Sequence, residues 1–320
     1  MNYFGSLIGQ SQAVELLNQA INQNRLAPAY LFAGIDGIGR TIAARCFIEQ
    51  LFCSNLPAQQ QAHTQNLLRQ GNHPDVLWVE PTYLHQGQRL SAAEAAEKGL
   101  KRKAPPIIRT EQIREIAQFL SRRSAIAPRL IVIIEQAETM AESAANALLK
   151  TLEEPGKATI ILISPSVDAL LPTLVSRCQK IPFYRLNLEQ LAQVLRQTGN
   201  ETILQQYPAI IDTAQGSPGQ AIASAKQLAE IPTELLSKLA QLPKSLRDAL
   251  DIARQVDTLD TEKQLWLVDY LQHHYWQQFL AGKIAYSPLQ QLETARKSLL
   301  SYAQPRLVWE VTLMQLLPNN

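Results

Sequence analysis

Cysteine is scarce in this chain: Cys46, Cys53 and Cys178 are the only three among 320 residues. At those spacings they make neither a disulfide framework nor a four-ligand metal set, and a reducing compartment is the simplest expectation. Long apolar runs are missing too; none approaches the roughly 18 residues that would span a bilayer. The opening residues Met1 to Gly5 lack the basic and apolar regions of a secretory leader. These absences predict a soluble, cytoplasmic protein. Charge of one sign is also lacking: the net charge is +2, so any surface for a polyanion has to be local. No internal repeat occurs. The nearest approach to low complexity is the Gln-rich stretch 59–70, expected as a solvated helix or loop. What is present, 46% hydrophobic and 18% charged residues, suits a globular protein with substantial cores. The length predicts two or three domains.

The pattern that organises the chain is a short apolar run, Tyr30 to Ala33, followed by Gly34-Ile35-Asp36-Gly37-Ile38-Gly39-Arg40-Thr41 and an Ala-rich helix from near Ile42. A phosphate-binding loop reads G-x-x-x-x-G-K-S/T, its glycines letting backbone N–H groups wrap the phosphates. Gly34 and Gly39 have that spacing, Gly37 adds backbone freedom and Thr41 supplies a hydroxyl on the magnesium side. Arg40 stands where the template has lysine, a planar fork in place of a compact ammonium. The same residues also suit a plain strand-to-helix turn without a ligand.

Residues 6–24, with Leu7, Ile8, Val14, Leu16, Leu17 and Ile21, predict one or two short helices. Ile42 to Phe52 reads as helix, 54–72 as exposed and weakly periodic, and Val76 to Val79 as a strand after Asn72-His73-Pro74-Asp75. Residues 81–107 are expected as an irregular insert, broken by Gly87, Gly99 and Pro105-Pro106. Thr110 is expected to cap a helix from Glu111 to Leu120. Ser143 is expected to cap another, in which Ala144, Ala147, Leu148 and Leu152 share a face and which Pro155-Gly156 stops. Leu130 to Ile134, Thr159 to Ile163 and Lys180 to Phe183 read as further strands. Alternating strands and helices predict a mostly parallel sheet covered on both faces. Beyond Leu186 only helices are predicted. In one of them, Leu265 to Leu280, apolar residues surround most of the axis, which suits a helix packed on several neighbours. The expected domains are 1–185, 186–230 and 231–320.

Four stretches together are far more specific than any one: the Gly-rich loop, the strand Leu130 to Ile134, the run Asn146 to Pro155 and the run Leu171 to Gln179. They resemble the AAA+ subunits of bacterial clamp loaders, the delta-prime family in particular, and Gln304 to Glu310 is similar to the last collar helix of that family. The resemblance implies an α/β AAA+ domain, a RecA-like parallel sheet with flanking helices. A small helical lid and an all-α collar that oligomerises follow it. It further implies delta and gamma or tau subunits as partners in a ring that opens the sliding clamp and places it on primed DNA.

Related ATPases read Asp-Glu-Ala after the third strand, to position magnesium and orient the attacking water; this chain reads Glu135-Gln136-Ala137. Glu135 is one methylene longer, and Gln136 cannot act as a general base. Ser164 falls at the sensor-1 position and Gly219 where a motor subunit carries its sensor-2 arginine. With Arg40 these changes imply a degenerate ATPase set: no catalysis by the isolated chain, with ATP or ADP and magnesium at most a non-hydrolysed ligand. Ser176-Arg177-Cys178 matches the triplet that supplies an arginine finger to the nucleotide of the neighbouring subunit. The alternative is an ATP-hydrolysing motor subunit of the same loader. Asn146 is expected to hydrogen-bond across the core beside the sensor. Zinc is not expected, because Cys53 stands alone where many relatives carry four cysteines. Lys98 to Arg129 holds nine basic and two acidic residues, either a contact to a phosphate backbone or a solvated face.

Overall fold

The computed structural model describes residues 3–100, 105–154, 156–206, 208–284 and 288–317. The chain forms two compact units, residues 1–190 and 191–320.

In the first unit, α1 (Ser11–Asn22) precedes β1 (Ala29–Ala33), and the Gly-rich loop leads into α2 (Arg40–Cys53). Then come α3 (Ala58–Arg69), β2 (Val76–Val79), β3 (Tyr83–His85), β4 (Gln88–Leu90), α4 (Ala92–Glu97) and α5 (Thr110–Leu120). The unit is completed by β5 (Leu130–Ile134), α6 (Glu142–Glu153), β6 (Ala158–Ser164), α7 (Pro172–Val175) and β7 (Gln179–Pro182). The main sheet is parallel, in the order β2-β5-β6-β1-β7, as the alternating pattern predicts. Every residue of β1, β5 and β6 is buried, while the edge strand β2 is only partly so. That is why the central strands are continuous apolar runs: both faces are covered by helices. One face packs on α5 and α6 through Ile113, Ile116, Phe119, Ala144 and Leu148.

Several local expectations are corrected. The insert at 81–107 contains an antiparallel hairpin of β3 and β4, and Ser91 starts α4 in a reciprocal capping box with Glu94. Lys101, Arg102 and Lys103 lie outside the described residues, as does Pro155. The Gln-rich stretch forms α3 with only Thr64 buried, the solvated helix that is one of its two expected forms. Thr110 begins α5 rather than capping it; the Gln112 carbonyl accepts the Arg109 N–H at 3.1 Å instead. Ser143 lies inside the first turn of α6, whose flanking residue is Ala141. The two expected caps hydrogen-bond each other across the helices, Thr110 Oγ1 to Ser143 Oγ at 2.9 Å.

The second unit is helical: α8 (Leu188–Gln197, which begins at the unit boundary), α9 (Thr202–Gln206), α10 (Pro208–Ala214) and α11 (Pro218–Glu230), then α12 (Thr233–Leu239) and α13 (Leu246–Asp257). The last three are α14 (Thr261–Leu280), α15 (Leu289–Leu300) and α16 (Pro305–Gln315). Trp309 is the hub of its core, fully buried, with Nε1 donating to Gln264 Oε1 at 2.9 Å. Helices α11 and α14 are tied by Trp266 Nε1 to Ser224 Oγ at 3.0 Å and by Lys263 to Glu230 at 2.8 Å. Helices of the expected lid and collar stretches therefore meet inside the second unit, residues 191–320. No helix among the described residues is long and apolar enough to cross a membrane.

Candidate functional site

In a parallel sheet, ligands collect outside the carboxyl ends of the strands. The sequence-predicted loop residues sit there. Ala33 pairs with Ser164 on one side and Pro182 on the other, and Gly34 N–H donates to the Ser164 carbonyl at 3.2 Å. Gly34 is required by packing: a Cβ there would stand 2.7 Å from the carbonyl oxygen and Cβ of Phe183. Gly37 and Gly39 have φ of +75° and +104°, and a Cβ on Gly39 would meet Leu7 at 2.9 Å. Gly39 turns the chain into α2, Arg40 is its first residue and Thr41 follows, half-buried.

The charged side chains of this loop engage one another. Arg40 is buried, and its Nη2 pairs with Asp36, four residues earlier in the same loop. Its Nη1 is buried without a hydrogen-bond partner. Glu138 stands nearby, in the turn after β5, with a buried Oε2 that is likewise unpartnered. Burial pushes the Glu138 carboxyl above its ordinary value and Asp36 adds to the rise, while its own backbone N–H and Arg40 oppose it. Arg40, Asp36 and Glu138 thus form one charged group at the loop.

Glu135 and Gln136 occupy the end of β5. Glu135 Oε1 accepts from Trp78 Nε1 at 2.7 Å, so its carboxylate is tied to the edge strand. Gln136 is solvent-exposed in a left-handed conformation, φ +47°, which points the chain into the turn carrying Glu138. Ser164 is fully buried and its hydroxyl donates to the Ser166 carbonyl at 3.0 Å, inside the turn that leaves β6. Asp36 and Glu138 were missed in the sequence; the signals were an acid four residues before Arg40 and one three residues after Glu135.

Arg177 lies apart from that group, just after α7. Its side chain is 38% exposed, held by Glu153 at 2.8 Å and by the Thr173 carbonyl at 3.0 Å. The neighbouring Cys178 is buried, which lifts its thiol to about 11 and leaves it unreactive. Asn146 is exposed on α6, a correction to the expected core contact. Gly219 belongs to the second unit, in the first turn of α11 after the cap Ser217. Cys46 and Cys53 are buried, and His73 packs on Phe52 with ring centroids 4.9 Å apart. Among the described residues no cluster of His, Cys, Asp and Glu is placed to hold a metal.

The loop, the strand ends and Arg177 can be set against known proteins. The family described as "DNA polymerase III, delta subunit" matches residues 9–187, and "Cyanobacterial DNA polymerase III delta prime, C-terminal domain" matches residues 189–316. The chain belongs to the DNA polymerase III delta-prime family. It is 33% identical over 180 residues to the DNA polymerase III subunit delta' of Bacillus subtilis (strain 168), covering 55% of this chain and 48% of that protein. To the corresponding subunit of Pseudomonas aeruginosa it is 37% identical over 178 residues, covering 53% and 48%. The chain thus spans about half the length of the curated relatives it matches. Among solved structures, a DNA polymerase III gamma subunit-related protein of Thermotoga maritima aligns with TM-score 0.51 at 19% identity, over 95% of this chain and 98% of that one. That likeness bears on the fold, which is the AAA+ arrangement of a parallel sheet with flanking helices followed by a helical region.

Proposed function

We propose that this delta-prime family chain is a non-motor subunit of the clamp loader of the DNA polymerase III holoenzyme. In this reading it is a cytoplasmic stator that helps load the sliding clamp on primed DNA and donates Arg177 to the ATPase site of an adjacent subunit. The observation that carries the reading is a contrast between two arginines. Arg40 is buried and neutralised by its own loop, whereas Arg177 is presented outward on an ion pair whose members are 38% and 54% exposed. An exposed pair of that kind is worth about 0–1 kcal/mol, so exchanging Glu153 for phosphate oxygens costs little. A guanidinium pairs with such oxygens bidentately and offsets charge that develops during phosphoryl transfer. Any ADP or ATP taken by the Gly-rich loop is, on this reading, not hydrolysed.

The partners proposed are delta and gamma or tau subunits, with 186–230 as lid and 231–320 as collar. Support for assembly comes from α16. Leu307, Val311 and Met314 follow one another at helical spacing on its exposed side, with Leu300 and Tyr302 exposed just before it. Their spacing makes a stripe that suits a neighbouring chain.

The test is DNA-stimulated ATP turnover of the reconstituted loader, wild type against Arg177→Ala. Loss of a finger costs a factor of about 10³ at the site it serves, so assembly turnover should drop sharply while the isolated chain is silent. Turnover by the isolated chain, unaffected by Arg177→Ala, would overturn the reading and make this subunit a motor.

A further inference from the structure

The opposite end of the sheet, where β5 and β6 begin, carries a second feature. A cavity of about 560 Å³ opens there, lined by Arg122, Arg123 and Arg129 from the segment between α5 and β5, and by Lys157 from the turn before β6. Among the described residues no carboxylate lines it. Among the described residues none of these four cations forms an ion pair. Four positive charges gathered round one cavity repel one another, and an anionic ligand relieves that repulsion.

The segment that holds these cations is built rather than loose. The buried Asp75 carboxylate accepts the backbone N–H groups of Ala125, Ile126 and Ala127 at 2.6, 2.7 and 2.7 Å. Arg122 lies over the Phe119 ring, 4.4 Å from its centroid. Arg129 Nη1 donates to Thr159 Oγ1 at 2.5 Å. Three of the four cations are arginines, whose forks match phosphate oxygens. Among the described residues no aromatic side chain lines the cavity, and Arg122 covers the nearby Phe119, so a base finds no aromatic ring to stack on. A mononucleotide would need such a pocket, whereas a strand can be held by its backbone alone.

We propose that this basin binds the phosphodiester backbone of a nucleic-acid strand, without regard to sequence, through Arg122, Arg123, Arg129 and Lys157. The choice of a nucleic acid over an acidic peptide rests on the replication role proposed above; the site itself rests on the geometry.

The test uses the full chain alone and a fluorescein-labelled primed duplex, with binding followed by anisotropy as sodium chloride is varied. Each phosphate neutralised on duplex DNA contributes roughly 0.9 to the salt slope. Arg122→Gln/Arg123→Gln should therefore lower the slope by about 1.8 and weaken binding by on the order of tenfold at 0.1 M salt. Lys157→Gln should remove about 0.9 more. Both arginines are exposed, so the fold should survive, and Arg129 is left in place because it is tied to Thr159. Arg114→Gln, the same charge loss on the exposed side of α5 but outside the basin, should leave the slope alone. An unchanged slope in the double variant, or an equal loss in Arg114→Gln, overturns the proposal. Displacement of DNA by inorganic tripolyphosphate at equal phosphate concentration would overturn it in favour of a small polyphosphate. Displacement by polyglutamate at equal charge would overturn it in favour of an acidic peptide. No partner and no ATP are present, so failure here leaves the role of Arg177 standing, and failure of that role leaves this result intact.

Discussion

Replacing Asp75 by asparagine removes one negative charge and leaves a single acceptor oxygen for three backbone donors. The wild-type carboxylate takes those donors at 2.6 to 2.7 Å while itself buried. Hydrogen bonds to a charged group contribute about 1.5–3 kcal/mol each. The full sum is not expected, because Ala125 and Ile126 are exposed and their N–H groups can return to water. The wild type also bears the desolvation of the carboxylate. A net loss of about 3 kcal/mol follows, which for a unit of this size lowers Tm by roughly 6–12 °C. Scanning calorimetry of the full chain, with urea unfolding as a second measurement, reads it. The pH dependence supplies an independent check. Burial pushes the Asp75 carboxyl up, but the three backbone N–H groups and His73 outweigh it and hold the group below its usual value. A carboxyl lowered in the folded state contributes stability that is complete above the unfolded value of about 3.9 and is lost as pH falls through the lower folded value. Wild type should therefore lose this contribution only below about pH 4, and Asp75→Asn should show a shallower acid decline. A loss below about 1 kcal/mol, or identical acid profiles, would refute the assignment of Asp75 as the anchor of the segment between α5 and β5.

Asp36→Asn frees Arg40 and removes one of the two carboxylates at the Gly-rich loop. ADP or ATP should then bind the isolated chain about tenfold more tightly by titration calorimetry, a gain of about 1.4 kcal/mol scaled for a screened pair. No gain would refute a charge barrier to nucleotide at this loop. Burial raises Cys46 and Cys53 as well as Cys178, so all three thiols should stay protonated at pH 8. A chromogenic disulfide reagent should label them slowly in the native protein and rapidly in guanidinium; fast native labelling of any one would refute their burial.

Much of the fold was legible because its signals are local. Tyr30 to Ala33 and Leu130 to Ile134 are apolar throughout, and such runs bounded by turn residues become strands covered on both faces. The boundaries that failed did so where a neighbouring element took over. Thr110 and Ser143 are good caps in isolation, yet once α5 and α6 pack together their hydroxyls serve each other and Gln112 takes the capping role. The hairpin of β3 and β4 was hidden because strands of three residues carry too little periodicity to stand out.

By itself the sequence determined the alternation of strands and helices, the Gly-rich loop, the departures at Arg40, Glu135 and Gln136, and the family. Those are properties of residue type and spacing along the chain. Only the tertiary structure decided where the charges go. It placed Asp36 and Glu138 around Arg40, turned Glu135 toward Trp78, and left Arg177 exposed beside Glu153. It also gathered Lys157 with three arginines of a distant segment that Asp75 pins in place. Electrostatic partners are chosen through space, over separations that sequence distance does not encode, so the same count of charges is compatible with a neutralised loop or an open one.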